Sequence, residues 1–259
     1  MTVILQQVAS GLSIGAIYAL LAVGYALVYS IYGFTNWSFD ALLVASAFAG
    51  YYALTFLHLP LGATVLAALA LGIGLALLLE LTAYRPLRCR GAPRVLMLIS
   101  AMGANLAIVN LINLALGGAL RVFPPILEGS WQVAGIAIGR LDALAALLAL
   151  SLLAGLRWLL YHTHAGLGIR ASSHDMTTAS LMGVDNNALA LLVFGVSGLL
   201  AGVSGMVYGV KYAVYPYLGL VTLKAMIAAV IGGLGSLEGA LLGSLLLGVL
   251  ETLVSAFIS

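Results

Sequence analysis

Few residues in this chain have a type and spacing that could do chemistry. Gly195-Val-Ser-Gly198 and Gly202-Val-Ser-Gly205 repeat seven residues apart. A serine in such a turn can serve as a nucleophile when a general base reaches its hydroxyl. Intramembrane serine hydrolysis would take that base from a histidine on a later helix, but the last histidine, His174, precedes both serines. A heptad step instead returns to nearly the same helix face. With Gly209 the repeats make a small-residue stripe suited to close helix packing, and Gly202→Leu is expected to destabilise the bundle. Gly232-Gly-Leu-Gly-Ser-Leu-Glu-Gly239 has the glycine density of a phosphate loop. It lacks the Gly-Lys-[Ser/Thr] ending that reaches the phosphates, and no other stretch supplies one. There is no His-Glu-x-x-His pair and no acidic cluster for a hard cation. The single cysteine, Cys89, excludes a disulfide framework and a cysteine-based metal cluster. No enzymatic activity, cofactor or metal is expected.

The remaining polar candidates lie in apolar surroundings. Asp40, Glu80, Lys224, Glu238 and Glu251 fall in or beside hydrophobic runs. A charge at the bilayer centre costs about 2.5–3.5 kcal/mol on insertion scales, so each needs a partner or water. Glu80 sits one turn before Arg85 and is expected to pair with it at the membrane edge. Asp40 and Glu238 are expected at helix ends or breaks. Lys224 opens a short apolar segment, where it either snorkels outward or lines a cavity. Asn36, Lys224, Gly232, Gly233 and Gly235 are the candidate residues of a translocation path. Asn105, Asn110 and Asn113 suit hydrogen bonds between helices.

The elements that must position these residues follow from composition. Of 259 residues, 63% are hydrophobic and only 7% charged, against roughly 25% charged in ordinary soluble domains. Mean hydropathy is +1.18. Ten basic and eight acidic side chains cannot clothe a soluble surface of this size. A cytosolic enzyme, a nucleic-acid binder and a disordered chain are thereby excluded, and membrane lipid is the expected solvent. The fold class is an all-α integral membrane protein, a polytopic helical bundle of about seven or eight transmembrane segments.

A spanning helix needs about 20 apolar residues. Val8–Ile31, Ala41–Leu57, Leu61–Ala83, Val95–Leu116, Leu141–Leu160, Ala188–Val210 and Ala240–Ile258 meet that need. Val8–Ile31 reads as a retained helix, because a secretory leader wants a basic start and a shorter apolar core. Leu220–Ile231 is too short for a full crossing and reads as a half-helix or re-entrant segment, broken by the glycines that follow. The segment from Arg85 to Arg94 carries four arginines, and Arg157 and Arg170 flank the next loop on the same side. Only Arg121, Arg140 and Lys211 fall opposite. The arginine-rich side is therefore cytoplasmic and the N-terminus external.

The longest hydrophilic stretch, Tyr161–Asn187, lies on the cytoplasmic side. Ser172 and Ser173 can cap a short helix, with Asp175 in its first turn, where the helix dipole favours an anion. Gly183 suits the left-handed residue after such a helix. Asp175, Ala179 and Gly183 recur every four residues along one side.

The chain resembles the LivH-type permeases of branched-chain amino acid ABC importers over nearly its whole length. Gly11-Leu-Ser-Ile-Gly15-Ala-Ile-Tyr18 through Gly24 to Tyr29 is similar to the family's first helix. Arg85-Pro86-Leu87-Arg88, followed by Leu98-Ile-Ser100-Ala-Met-Gly103, resembles its central loop and next helix. Tyr215-Pro-Tyr-Leu-Gly219, Lys224-Ala225, Gly232-Gly-Leu-Gly-Ser236 and Gly239 follow its order and spacing. Two features depart from the family. Asn36-Trp37-Ser38-Phe39-Asp40 stands where it usually reads Asn-Phe-Ala-His-Gly, and the family usually continues past the position of Ser259 into one more helix.

The resemblance implies a multi-pass permease of the prokaryotic plasma membrane, forming a path for branched-chain or other small amino acids. It implies pairing with a second permease subunit, identical or different. It also implies two cytoplasmic ATP-binding subunits and a periplasmic substrate-binding protein. Within a single permease domain over residues 1–259, Asp175, Ala179 and Gly183 would belong to a coupling loop at about 161–187 that meets the ATPase. The competing reading is a self-contained secondary transporter or channel for a small polar solute such as urea. That class often carries paired broken helices, and this sequence has one.

Overall fold

A computed structural model describes residues 2–124, 126, 129–133 and 136–257. The chain runs through α1 (Thr2–Tyr32), α2 (Phe39–Thr55) and α3 (Leu61–Leu79). A π-helical turn (Glu80–Tyr84) joins α3 to α4 (Arg85–Cys89), and α5 (Arg94–Leu116) follows. The strands β1 (Ser130–Val133) and β2 (Ile136–Gly139) precede α6 (Arg140–His162). Then come α7 (His164–His174), α8 (Met176–Leu181), α9 (Asn186–Lys211), α10 (Gly219–Gly232) and α11 (Leu237–Phe257). Among the described residues, six helices are long and apolar enough to cross a membrane. Phe39–Thr55 and Gly219–Gly232 are shorter apolar helices. The second matches the expected half-helix, and α2 has the 17 residues expected for Ala41–Leu57, shifted two residues towards the N-terminus. The antiparallel β1–β2 pair was not expected from the sequence.

Burial divides the helices into two groups. α1 is apolar around its whole circumference, and Ile17 to Val28 are almost all buried. A helix without a polar face has no side to turn to water and can occupy a core. α9 is the second core helix; α3, α5, α6 and α11 each bury a narrow strip and expose leucine-rich faces.

Glycine and alanine let these helices approach closely, since apolar burial gives little drive between helices in lipid. A Cβ at Gly198 of α9 would stand 2.6 Å from the Gly72 carbonyl oxygen of α3. One at Gly205 would collide with the Leu43 carbonyl of α2. At Gly248 of α11 it would come within 2.5 Å of the Gly15 Cα of α1. The Gly-Val-Ser-Gly repeats thus form the α9 packing face, as their spacing indicates. Ser197 and Ser204 are fully buried and donate to the Phe194 and Leu200 carbonyls of their own helix, at 2.9 and 2.8 Å. Gly202 is less crowded: a methyl there would find its nearest neighbours 3.4 Å away.

Candidate functional site: coupling segment and polar interior

The stretch between α6 and α9 folds as two short helices with a sharp break. Thr163 caps α7, its Oγ1 accepting from the Gly166 N–H at 3.0 Å. Gly166 packs onto the last carbonyls of α6, at Leu159 and Leu160. α7 thus precedes the expected helix, and Ser172 and Ser173 lie inside α7 rather than capping the helix that follows. Asp175 is extended (φ −153°) and is itself the N-cap of α8 rather than a first-turn residue. Its carboxylate accepts from the Thr177 N–H at 2.9 Å and the Thr178 hydroxyl at 2.5 Å. The Thr178 hydroxyl and the two threonine N–H groups hold its pKa below the usual aspartate range.

α8 ends in a Schellman motif. Gly183 has φ +95°, its N–H donates to the Ser180 carbonyl, and the Val184 N–H donates to that of Ala179, both at 3.1 Å. Asp185 then caps α9, accepting from Asn187 N–H at 2.8 Å. Asp175 and Gly183 are exposed, but Ala179 is buried, so the three do not share an open face. The residues that stand out are Leu181 and Met182, 82% and 83% exposed. Sequence reasoning missed them because an apolar pair in an apolar chain carries no local signal.

Behind this segment lies a buried polar network. Glu80 is fully buried and pairs with Arg88 at 2.7 Å, not with Arg85. The π-helical turn accounts for the change: the Arg85 N–H bonds back to the Glu80 carbonyl, five residues earlier, which shifts every later side chain around the axis. Arg88 also donates to Asn187 Oδ1 at 3.2 Å and stacks over Tyr32. Next to it, Asn36 Oδ1 accepts from Tyr84 Oη at 2.8 Å and Ser38 Oγ at 2.6 Å. Asn36 is buried and braces the α1–α2 connection.

The other candidate path residues lie elsewhere. Lys224 pairs with Glu251 at 2.5 Å, and the Tyr18 hydroxyl donates to the second oxygen of Glu251 at 3.0 Å. Both charged side chains are partly exposed. Lys211, Asp142 and Ser13 form a second cluster, with Lys211 Nζ 2.6 Å from Asp142 and 3.0 Å from the Ser13 hydroxyl. Gly232 packs directly on Gly239 where α10 meets α11, and Gly233 and Gly235 take positive φ in the turn between them. The five candidates therefore occupy three separate places. Asn105 and Asn113 bond other segments, to Asp40 at 3.4 Å and to the Tyr217 hydroxyl at 3.0 Å. Among the described residues, Asn110 bonds only its own helix, at the Leu106 carbonyl. Among the described residues no group of three His, Cys, Asp or Glu could hold a metal ion.

The family described as branched-chain amino acid transport system, permease component, matches residues 7–259. The chain belongs to that family. It is 33% identical to the high-affinity branched-chain amino acid transport system permease protein BraD of Pseudomonas aeruginosa, over 95% of this chain and 85% of that protein. It is 30% identical to the corresponding LivH of Escherichia coli, over 98% of this chain and 87% of the relative. A metal-chelate-type ABC transporter solved in an inward-facing conformation shares the fold. It superposes with a TM-score of 0.54 at 18% identity, over 97% of this chain and 76% of the other. Family members are transport permeases, which favours the ABC permease over a self-contained secondary transporter or channel.

Proposed function

We propose that this chain is the membrane-spanning permease subunit of an ABC importer for branched-chain amino acids. The observation that carries the reading is the family match across almost the whole chain. In this reading residues 1–259 serve as one permease domain in a prokaryotic plasma membrane. A second permease subunit completes the path, and a periplasmic binding protein delivers the substrate. Two cytoplasmic ATP-binding subunits supply the work. The chain itself catalyses no reaction and needs no cofactor.

The local geometry fits an externally driven gate. α8 meets its own end-group hydrogen bonds through Asp175 at one end and Gly183 at the other. It can thus move as a solid piece when a partner closes on it. Leu181 and Met182 offer the apolar anchors that such a docking contact needs at its centre. Asp175, Ala179 and Gly183 shape the segment: cap, inward contact and terminating turn. The Asp185 cap and the Arg88–Asn187 bond pass its displacement to α9 and, through Glu80, to α3.

Reconstitution tests this. The chain should co-purify with ATPase subunits, and uptake of radiolabelled leucine should require ATP and the binding protein. Uptake by this chain alone in proteoliposomes would refute the proposal.

A further inference from the structure

Among the described acids, one stands apart from the others. Glu80, Asp142, Glu238 and Glu251 each pair with a lysine or arginine. Asp175 and Asp185 accept backbone N–H groups at helix starts. Asp40, in the first turn of α2, has neither kind of partner among the described residues. Its Oδ2 accepts one long hydrogen bond from Asn105 Nδ2 at 3.4 Å, while its buried Oδ1 has no donor. Asn105 Oδ1 is buried and lacks a donor too.

The position makes this more than a loose side chain. Asn105 is the central residue of the 23-residue α5, about 16 Å from either end at the usual helical rise. Gly219, the first residue of α10, lies against Asp40: a Cβ there would be 3.3 Å from Oδ2. The positive end of a helix thus favours the carboxylate anion at mid-membrane, although no N–H of α10 bonds it. Two turns further along α5, Asn113 bonds the exposed Tyr217, so polar contacts continue away from the arginine-rich end. Two neighbouring acceptors without donors, one of them anionic, match a cationic donor group and leave a neutral apolar ligand unrewarded.

We propose that Asp40 and Asn105, joined across α2 and α5 beside the start of α10, form a mid-membrane station for the ammonium group of the transported amino acid. The assignment of the ligand rests on the function proposed above. An ammonium brings three N–H donors and a positive charge; Asp40 Oδ1 and Asn105 Oδ1 can take two of those hydrogen bonds.

Thiol labelling tests the station without reference to any substrate. In the assembled transporter carrying Cys89→Ser and Asn105→Cys, a cationic methanethiosulfonate should react about tenfold faster than an anionic one of similar size. Adding Asp40→Asn should bring the two rates together. Failure of both reagents to react, or a preference that survives Asp40→Asn, would overturn the proposal. Leucine uptake is the second readout. Asp40→Asn should lower it about tenfold, while ATP hydrolysis stimulated by loaded binding protein persists and Asp40→Glu retains transport. Unchanged uptake in Asp40→Asn would overturn the ammonium assignment. Should the wild-type complex move no amino acid, the proposed function fails, and the reagent preference still decides whether Asp40 attracts cations from a water-filled path.

Discussion

At the residue scale, Arg88 is held by three contacts at once. It neutralises the fully buried Glu80, reaches Asn187 and covers the Tyr32 ring. Removing one partner of a buried pair strands the other charge, at a cost of roughly 3–5 kcal/mol. Arg88→Gln should therefore lower the thermal midpoint in detergent sharply, and a compensating Glu80→Gln should recover much of the loss. Wild-type stability of Arg88→Gln would contradict the network. Asp175 gives a pH prediction of the opposite kind. Its carboxyl is held below the ordinary aspartate range when folded, so its contribution is complete above that range. It disappears only as pH falls through the lowered folded value. ATPase stimulation should thus survive mild acidification in the wild type. Asp175→Asn, which keeps an acceptor at the cap, should couple well, whereas Asp175→Lys should not. Loss of stimulation in Asp175→Asn equal to that in Asp175→Lys would refute the capping role.

At the element scale, much of the fold was legible. Apolar runs of membrane length are a local property, and α5, α6, α9 and α10 fall within two residues of their expected limits. Gly183 was also legible, because only a positive-φ residue ends a helix that way. What could not be read depends on neighbours. Ser172 and Ser173 have the chemistry of caps, but both lie inside α7, and Asp175 caps the helix that Gly183 terminates. The Glu80 partner changes because a π-helical turn rotates the residues beyond it. The small-residue stripe was legible as a stripe, but its tightest points were not. Gly202 has room for a methyl, whereas Gly198 and Gly205 face backbone carbonyls of α3 and α2. Gly198→Ala and Gly205→Ala should each cost about 1–3 kcal/mol, measured as thermal unfolding in detergent, and Gly202→Ala much less. The large Gly202→Leu replacement still exceeds the space available. Leu181 and Met182 belong to this scale as well. Changing both to serine should leave expression intact and reduce ATPase co-purification, since two apolar anchors are lost from the exposed end of α8.

At the scale of the whole molecule, the polar groups are graded from the arginine-rich end to the opposite face. The Glu80–Arg88 and Asn36–Tyr84 network braces one end, Asp40 and Asn105 occupy the middle, and Lys211 with Asp142 lies towards the other. The two core helices run through all three levels. α1 draws its covering from helices made late: α11 and α9 pack along most of its length, with α10 and α6 beside them. During synthesis, then, α1 emerges well before α11, which packs over Gly11 and Gly15, and that face of α1 remains in lipid until α11 arrives. A nascent chain stalled before α11 leaves its own centre uncovered for a quality-control protease to find.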